Sequence, residues 1–239
     1  MIDMPLRIFV GYEPSETVAF HVLAHSIYRH ARAPVSVTGL ILRQLPLTRA
    51  RDPRQSTEFA FSRFLVPHLC GYAGVAVFMD CDMLCRADIR ELVDAAELAK
   101  PVSVVKHDYR TCASVKFLEQ QNVDYARKNW SSVMVFSCGM EECRRLSPDY
   151  VNAASGLDLH QFRWIDDEER IGALPPAFNH LVGELPPNPA AKLVHFTLGT
   201  PCFEKYARCE FAQEWFEERR LMLHHDRVNE YSRPERVEA

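Results

Sequence analysis

The chain has 239 residues, a formal net charge of −4, and 47% hydrophobic against 25% charged residues. Those are the proportions of an ordinary globular domain, and they exclude bulk disorder, collagen and a long coiled coil. The acidic balance, with a pI near 6.2, argues against a general nucleic-acid binder, which carries a basic excess.

Arg7 to Tyr12 reads as a buried strand, a short apolar run closed by Gly11. Pro14 and Ser15 open a helix, with Ser15 expected as its cap and Glu16 favourable in its first turn. Pro34 to Leu42 has strand composition, and the Arg-rich stretch from Arg43 to Gln55 reads as a long surface loop. Ser56 and Glu58 are expected to start a helix with the apolar stripe Phe61, Phe64, Leu65 and Leu69, which Pro67 would kink or divide. Val75 to Met79 is continuously apolar, as a strand covered on both faces should be. Helix is expected over 88–99, strand over 102–106 and again over 131–136. Ser147-Pro148-Asp149 is a strong helix start. Leu193 to Thr197 reads as a short strand and 203–223 as an amphipathic helix. Strands alternating with helices predict an α/β domain with a mixed, mainly parallel sheet flanked by helices. One domain is expected over 1–225, with a flexible tail over 226–239.

No run of about 18 apolar residues occurs, so no transmembrane segment is expected. The first residues do not read as a secretion signal, and none of the eight cysteines forms a CxxC pair. Reduced thiols and a cytoplasmic protein are the expectation.

The sharpest chemical signal is VAVFMDCDML. Alternate residues of an extended segment point the same way, so Asp80 and Asp82 can face one site. Their mutual repulsion calls for a cation, and hard oxygen ligands suit Mn²⁺ or Mg²⁺. An Asp-x-Asp after a strand also occurs in metal-dependent phosphohydrolases of the haloacid-dehalogenase type, although Leu84 stands where that pattern wants Thr or Val. A noncatalytic nucleotide-sugar-binding module is a further alternative.

The Asp-x-Asp, the preceding Ser62-Arg63-Phe64 and the distal LVHFTLGTP together resemble retaining glycosyltransferases of the GT-A fold, family-eight type. The resemblance runs from Arg7 to about Trp215. It implies a Rossmann-like GT-A domain and transfer of a sugar, with retention, from a nucleotide-sugar donor, UDP-linked, to an unspecified glycan, lipid-linked or small-molecule acceptor. It implies a metal held by Asp80, Asp82 and His195. Donor contacts would come from Gly11, Tyr12, Glu13, Arg63, Asp80, Cys81, Asn129, Ser131, Ser132 and Gly199, with Arg63 also catalytic. Ile165-Asp166-Asp167 resembles the acidic segment beside the reacting sugar carbon, which makes Asp166 the expected catalytic acid. The family's diphosphate-binding lysine is absent from Gly199-Thr200-Pro201-Cys202-Phe203, and Lys205, one helical turn on, is expected to replace it as a donor contact. Outside the resemblance, His107 and Tyr109 follow a strand end and can line an acceptor pocket.

Overall fold

The computed structural model describes residues 4–50, 55, 57–112 and 125–224. Ser56 and the expected tail over 226–239 lie outside the described residues. The chain opens with β1 (Leu6–Gly11), α1 (Thr17–His30) and β2 (Val35–Leu40). Then come α2 (Val66–Leu69), β3 (Val75–Met79), β4 (Met83–Cys85), α3 (Arg90–Asp94) and β5 (Val102–Val104). The second half holds β6 (Val133–Ser137), α4 (Glu141–Arg144), α5 (Pro148–Ala153), α6 (Gly156–His160) and β7 (Ile171–Ala173). It closes with β8 (His180–Leu181), β9 (Leu193–His195) and α7 (Ala212–Leu223).

The six-stranded sheet runs β2-β1-β3-β6-β5-β7. Strands β2, β1 and β3 are parallel, as are β5 and β7, while β6 runs against both of its neighbours. The apolar run of β3 lies in the middle of this sheet, and Ala76, Val77, Phe78 and Met79 have no exposed surface. Helix α1 buries Ala19, Val22, Leu23, Ser26 and Ile27, the spacing of one helical face. Arg29 and His30 in its last turn suit the negative end of the helix dipole.

Several expectations change locally. Glu13, not Ser15, caps the 3₁₀ turn that leads into α1, its side chain reaching forward to accept from the Ser15 N–H. The expected helix through Leu69 becomes a 3₁₀ turn, Ser62–Leu65, passing into α2. Pro67 stands in the first turn of α2, where its missing N–H has no helical partner to lose. The C-terminal helix begins only at Ala212. A second sheet, β4-β9-β8, was not expected from the sequence. It pairs Met83 with His195 and so joins the middle of the chain to its last third. Among the described residues no helix is long and apolar enough to cross a membrane.

Candidate active site

The site forms where β3 ends and the two sheets meet. The Asp80 N–H donates to the Ser132 carbonyl at 3.0 Å, which ties the strand end to the segment before β6. The Asp82 carbonyl accepts from Phe196 N at 2.9 Å, which ties it to the end of β9. These bonds bring Asp80, Asp82 and His195 together, with one ligand atom of each lying within 4.8 Å of the others.

Cys81, between the two acids, is fully buried. Burial, then the negative charges of Glu16, Asp82 and Asp80, push its thiol well above the ordinary range. Its side chain is part of the core.

Arg63 projects from the turn before α2 and is buried. Its Nη1 stands 2.9 Å from Asp80 Oδ1 and donates to the Ser131 carbonyl at 2.9 Å. Its guanidinium carbon lies 5.1 and 5.0 Å from the Phe59 and Phe78 ring centres, within cation–π range. One of the two adjacent negative charges is thus balanced inside the protein. Asp80 Oδ1 and Asp82 Oδ1 are both buried without a hydrogen-bond donor, and among the described residues Asp82 lacks the ion pair to arginine that Asp80 has. His195 Nε2 faces Asp82 Oδ1 at 3.4 Å. A buried carboxylate oxygen without a donor is costly unless a cation reaches it. Two carboxylates and an imidazole are a donor set for Mn²⁺ or Mg²⁺. Asp80, Asp82 and His195 can therefore hold a metal ion.

Glu16 completes the electrostatics and was read from the sequence only as a helix-start acid. It is buried and accepts from Thr200 Oγ1 at 3.3 Å. Burial first, then the charge of Asp82, pushes its carboxyl well above the usual carboxylate range. The turn that delivers Thr200 needs Gly199, whose φ of +150° lies in glycine's territory.

The remaining expected residues fall into two groups. Gly11, Tyr12 and Glu13 stand at the end of β1. A Cβ on Gly11 would meet Phe59 Cδ2 at 2.3 Å, so only glycine lets that ring pack. The Tyr12 hydroxyl pairs with Thr17 Oγ1 at 3.1 Å. The Glu13 carboxylate is engaged within the fold, accepting from Ser15 Oγ at 2.9 Å and Glu58 N at 2.8 Å. Asn129, with a left-handed φ of +61°, donates from Nδ2 to the Tyr109 hydroxyl at 2.7 Å and to Thr197 Oγ1 at 3.4 Å.

Ser131 and Ser132 depart from expectation because both hydroxyls turn inward. Ser131 Oγ meets His160 Nδ1 at 2.7 Å, and Ser132 Oγ donates to the Asn129 carbonyl at 2.7 Å. Burial, then the charge of Arg63, pushes His160 down to about 3, so its ring is neutral. Lys205 lies in an exposed 3₁₀ turn with its Nζ 5.6 Å from the Tyr206 ring centre. Asp166 stands at the surface. It takes both guanidinium nitrogens of Arg145 at 2.9 and 2.6 Å, its side chain is 77% exposed, and it precedes β7, the outermost strand. Arg145 holds its carboxyl below the usual range. This is a surface ion pair. His107 Nε2 is buried with no hydrogen-bond partner. Burial, with the charges of His195 and His180, pushes His107 down to about 4. Asn179, fully buried between the Asn129 turn and His195, was missed altogether. It follows a 3₁₀ turn in an irregular stretch with no periodicity to single it out.

No protein-family model matches the chain. Among solved structures, the chain is similar to the bifunctional glycosyltransferase WbbM, with a TM-score of 0.65 and 17% identity over 91% of this chain and 50% of that one. It is similar to the glycosyltransferase GlyE of Streptococcus pneumoniae TIGR4, with a TM-score of 0.56 and 13% identity over 92% of this chain and 62% of that one. It also resembles the galactosyltransferase LgtC, solved with donor and acceptor sugar analogues, with a TM-score of 0.53 and 10% identity over 90% of this chain and 96% of that one. The chain thus spans half of the WbbM chain and less than two thirds of GlyE. At these identities the likeness establishes the fold, which is that of GT-A glycosyltransferases. A curated relative, Protein CDI of Arabidopsis thaliana, is 41% identical over 98% of this chain and 90% of its own length. On that GT-A fold, the chain belongs to the family of Protein CDI.

Proposed function

We propose that the chain is a metal-dependent glycosyltransferase that moves a sugar from a UDP-linked donor to an acceptor with retention, acting as a single domain over 1–225. The observation that carries this reading is the buried Asp82 oxygen without a donor, beside Asp80 and His195, at the end of the central strand of a GT-A sheet. A divalent ion held there, Mn²⁺ or Mg²⁺, would supply positive charge against the diphosphate as it departs. The protein's own residues do the positioning. Arg63 fixes the Asp80 carboxylate and adds a delocalised positive charge beside it. Glu16, whose carboxyl is raised well above the usual range by burial and by the charge of Asp82, gives up a proton less readily than a free carboxyl beside the cluster. Tyr12 offers a ring at the end of β1 for a base to stack on, and the Asn129 side chain offers polar contact to the sugar. Eight free thiols fit a reducing compartment such as the cytoplasm.

The test is calorimetric titration of UDP with and without Mn²⁺, followed by product analysis with UDP-sugars. Nucleotide affinity that rises with Mn²⁺, together with sugar transfer, supports the reading. Phosphate release without an acceptor would make the chain a phosphohydrolase. Mn²⁺-dependent binding without turnover would make it a noncatalytic module, a reading favoured by the missing lysine before Lys205. Indifference of UDP to Mn²⁺ overturns the proposal.

A further inference from the structure

His195 can serve a metal only through an unprotonated ring nitrogen. A neutral imidazole donates from one nitrogen and keeps a lone pair on the other, so the proton's position decides what the ring can do. His195 Nδ1 lies 3.0 Å from Asn179 Oδ1, and Nε2 faces Asp82 Oδ1 at 3.4 Å. The orientation of the Asn179 amide follows from its other contacts. Its Nδ2 stands 3.2 Å from the Asn129 carbonyl and 2.8 Å from Ser132 Oγ. A carbonyl has no proton, so the amide group facing it must be the NH₂. Ser132 Oγ already donates to that same carbonyl, so it accepts from Nδ2. The amide oxygen is thereby turned toward His195, where it can only accept, and Nδ1 carries the proton. The reverse tautomer would set two lone pairs against each other at Nδ1. It would gain at Nε2 only a contact longer than a good hydrogen bond.

We propose that Asn179 is a positioning residue that holds His195 in its Nδ1–H tautomer, with the Nε2 lone pair aimed at the Asp82 side of the site. The metal consequence rests on the reading above; the tautomer does not. The reference point is the Asn129 turn. The Asn129 carbonyl orients Asn179, and the Ser132 carbonyl of the same turn receives the Asp80 N–H. One short segment therefore sets two arms of the site, Asp80 through the backbone and His195 through a buried amide. The hydrogen-bonded partner of a ligating histidine generally influences metal affinity by about 10- to 100-fold.

The tautomer is readable without metal or nucleotide. In the full chain labelled with ¹⁵N-histidine, two-bond proton–nitrogen spectra distinguish Nδ1–H from Nε2–H, and His195→Gln assigns the signal by its loss. The expected result is Nδ1–H. Asn179→Leu, close in volume but without an amide, should lose that preference and bind Mn²⁺ about 10-fold more weakly by calorimetry. Asn179→Asp keeps an oxygen that accepts from Nδ1–H. It should retain the tautomer and bind Mn²⁺ more nearly as wild type does. A packing role alone would lower the unfolding temperature of both variants and leave the tautomer unmoved. An Nε2–H signal in the wild type, or a folded Asn179→Leu that keeps both tautomer and affinity, overturns the proposal. If Asn179→Leu fails to fold, the wild-type spectrum and Asn179→Asp decide it. Absence of sugar transfer with the Nδ1–H signal intact would refute the enzymatic reading alone.

Discussion

Two carboxylates are buried to a similar degree and are treated in opposite ways. Glu218 of α7 is 2% exposed and Asp82 is 9% exposed. Around Glu218 every oxygen is served. Oε1 meets His25 Nδ1 at 2.6 Å, and Oε2 accepts from Arg29 Nε and Nη2 at 2.8 and 2.6 Å. Asp82 Oδ1 receives no hydrogen bond and has the carboxyls of Glu16 and Asp80 among its neighbours. A satisfied buried charge belongs to the architecture, here the docking of α7 onto α1. An unsatisfied one is tolerated where function requires an incoming partner.

The contrast predicts different responses to substitution. The largest effect is expected at Glu218. Glu218→Leu should lower unfolding stability by about 3 kcal/mol in denaturant titration, the low end for breaking a buried pair. Arg29 is 42% exposed and can recover water. Metal and nucleotide binding by the folded fraction should be unchanged. An equally large loss of Mn²⁺ affinity would erase the distinction between the two regions.

Arg63 belongs to both categories. Arg63→Ala leaves Asp80 and the Ser131 carbonyl without their cation and should cost about 2 kcal/mol of stability as well as donor affinity. A loss confined to one of the two would assign Arg63 wholly to that region. His160 sharpens the comparison through pH. Its folded-state pKa of about 3 lies below the ordinary 6.5, so the unfolded chain binds the proton first. Its contribution is complete above about pH 6.5 and drains as pH falls toward 3, by at most about 1.4 kcal/mol per pH unit. Urea titrations from pH 7 to 5 should show a slope that His160→Gln reduces.

The smallest effect carries the opposite sign. Asp82→Asn removes one of the clustered charges and should stabilise the metal-free protein by up to about 1 kcal/mol, while Mn²⁺ binding is lost. Destabilisation of the metal-free protein would mean that Asp82 is architectural after all.

Asp80 and Asp82 were legible because an uninterrupted apolar run implies a central strand, and alternation then puts both acids on one side. His195 was legible only by resemblance, since one histidine at a strand end carries no pattern of its own. Glu16 was hidden because an acid in a first helical turn has an ordinary explanation, and only the fold lays Thr200 against it. Asn179 was invisible for want of periodicity. Asp166 was named by resemblance alone, and the sequence holds no sign of its surface ion pair with Arg145 beside an edge strand. Nothing in the sequence around Ser131 and Ser132 shows that their hydroxyls bond within the fold, to His160 and to the Asn129 carbonyl.

The ladder between β4 and β9 has a consequence for how the molecule comes into being. Asp82 and His195 stand roughly a hundred residues apart in the chain, and joining them closes a long loop whose entropy must be overcome before the pairing is rewarded. The β1-α1-β2 unit can gather from neighbouring stretches, whereas the trio of Asp80, Asp82 and His195 exists only after the last third has docked. A nascent chain ending before β9 would carry both aspartates and lack the third ligand. Metal capture by all three residues would thereby be deferred until synthesis and folding have passed His195, and a divalent ion held by the trio would report an assembled protein.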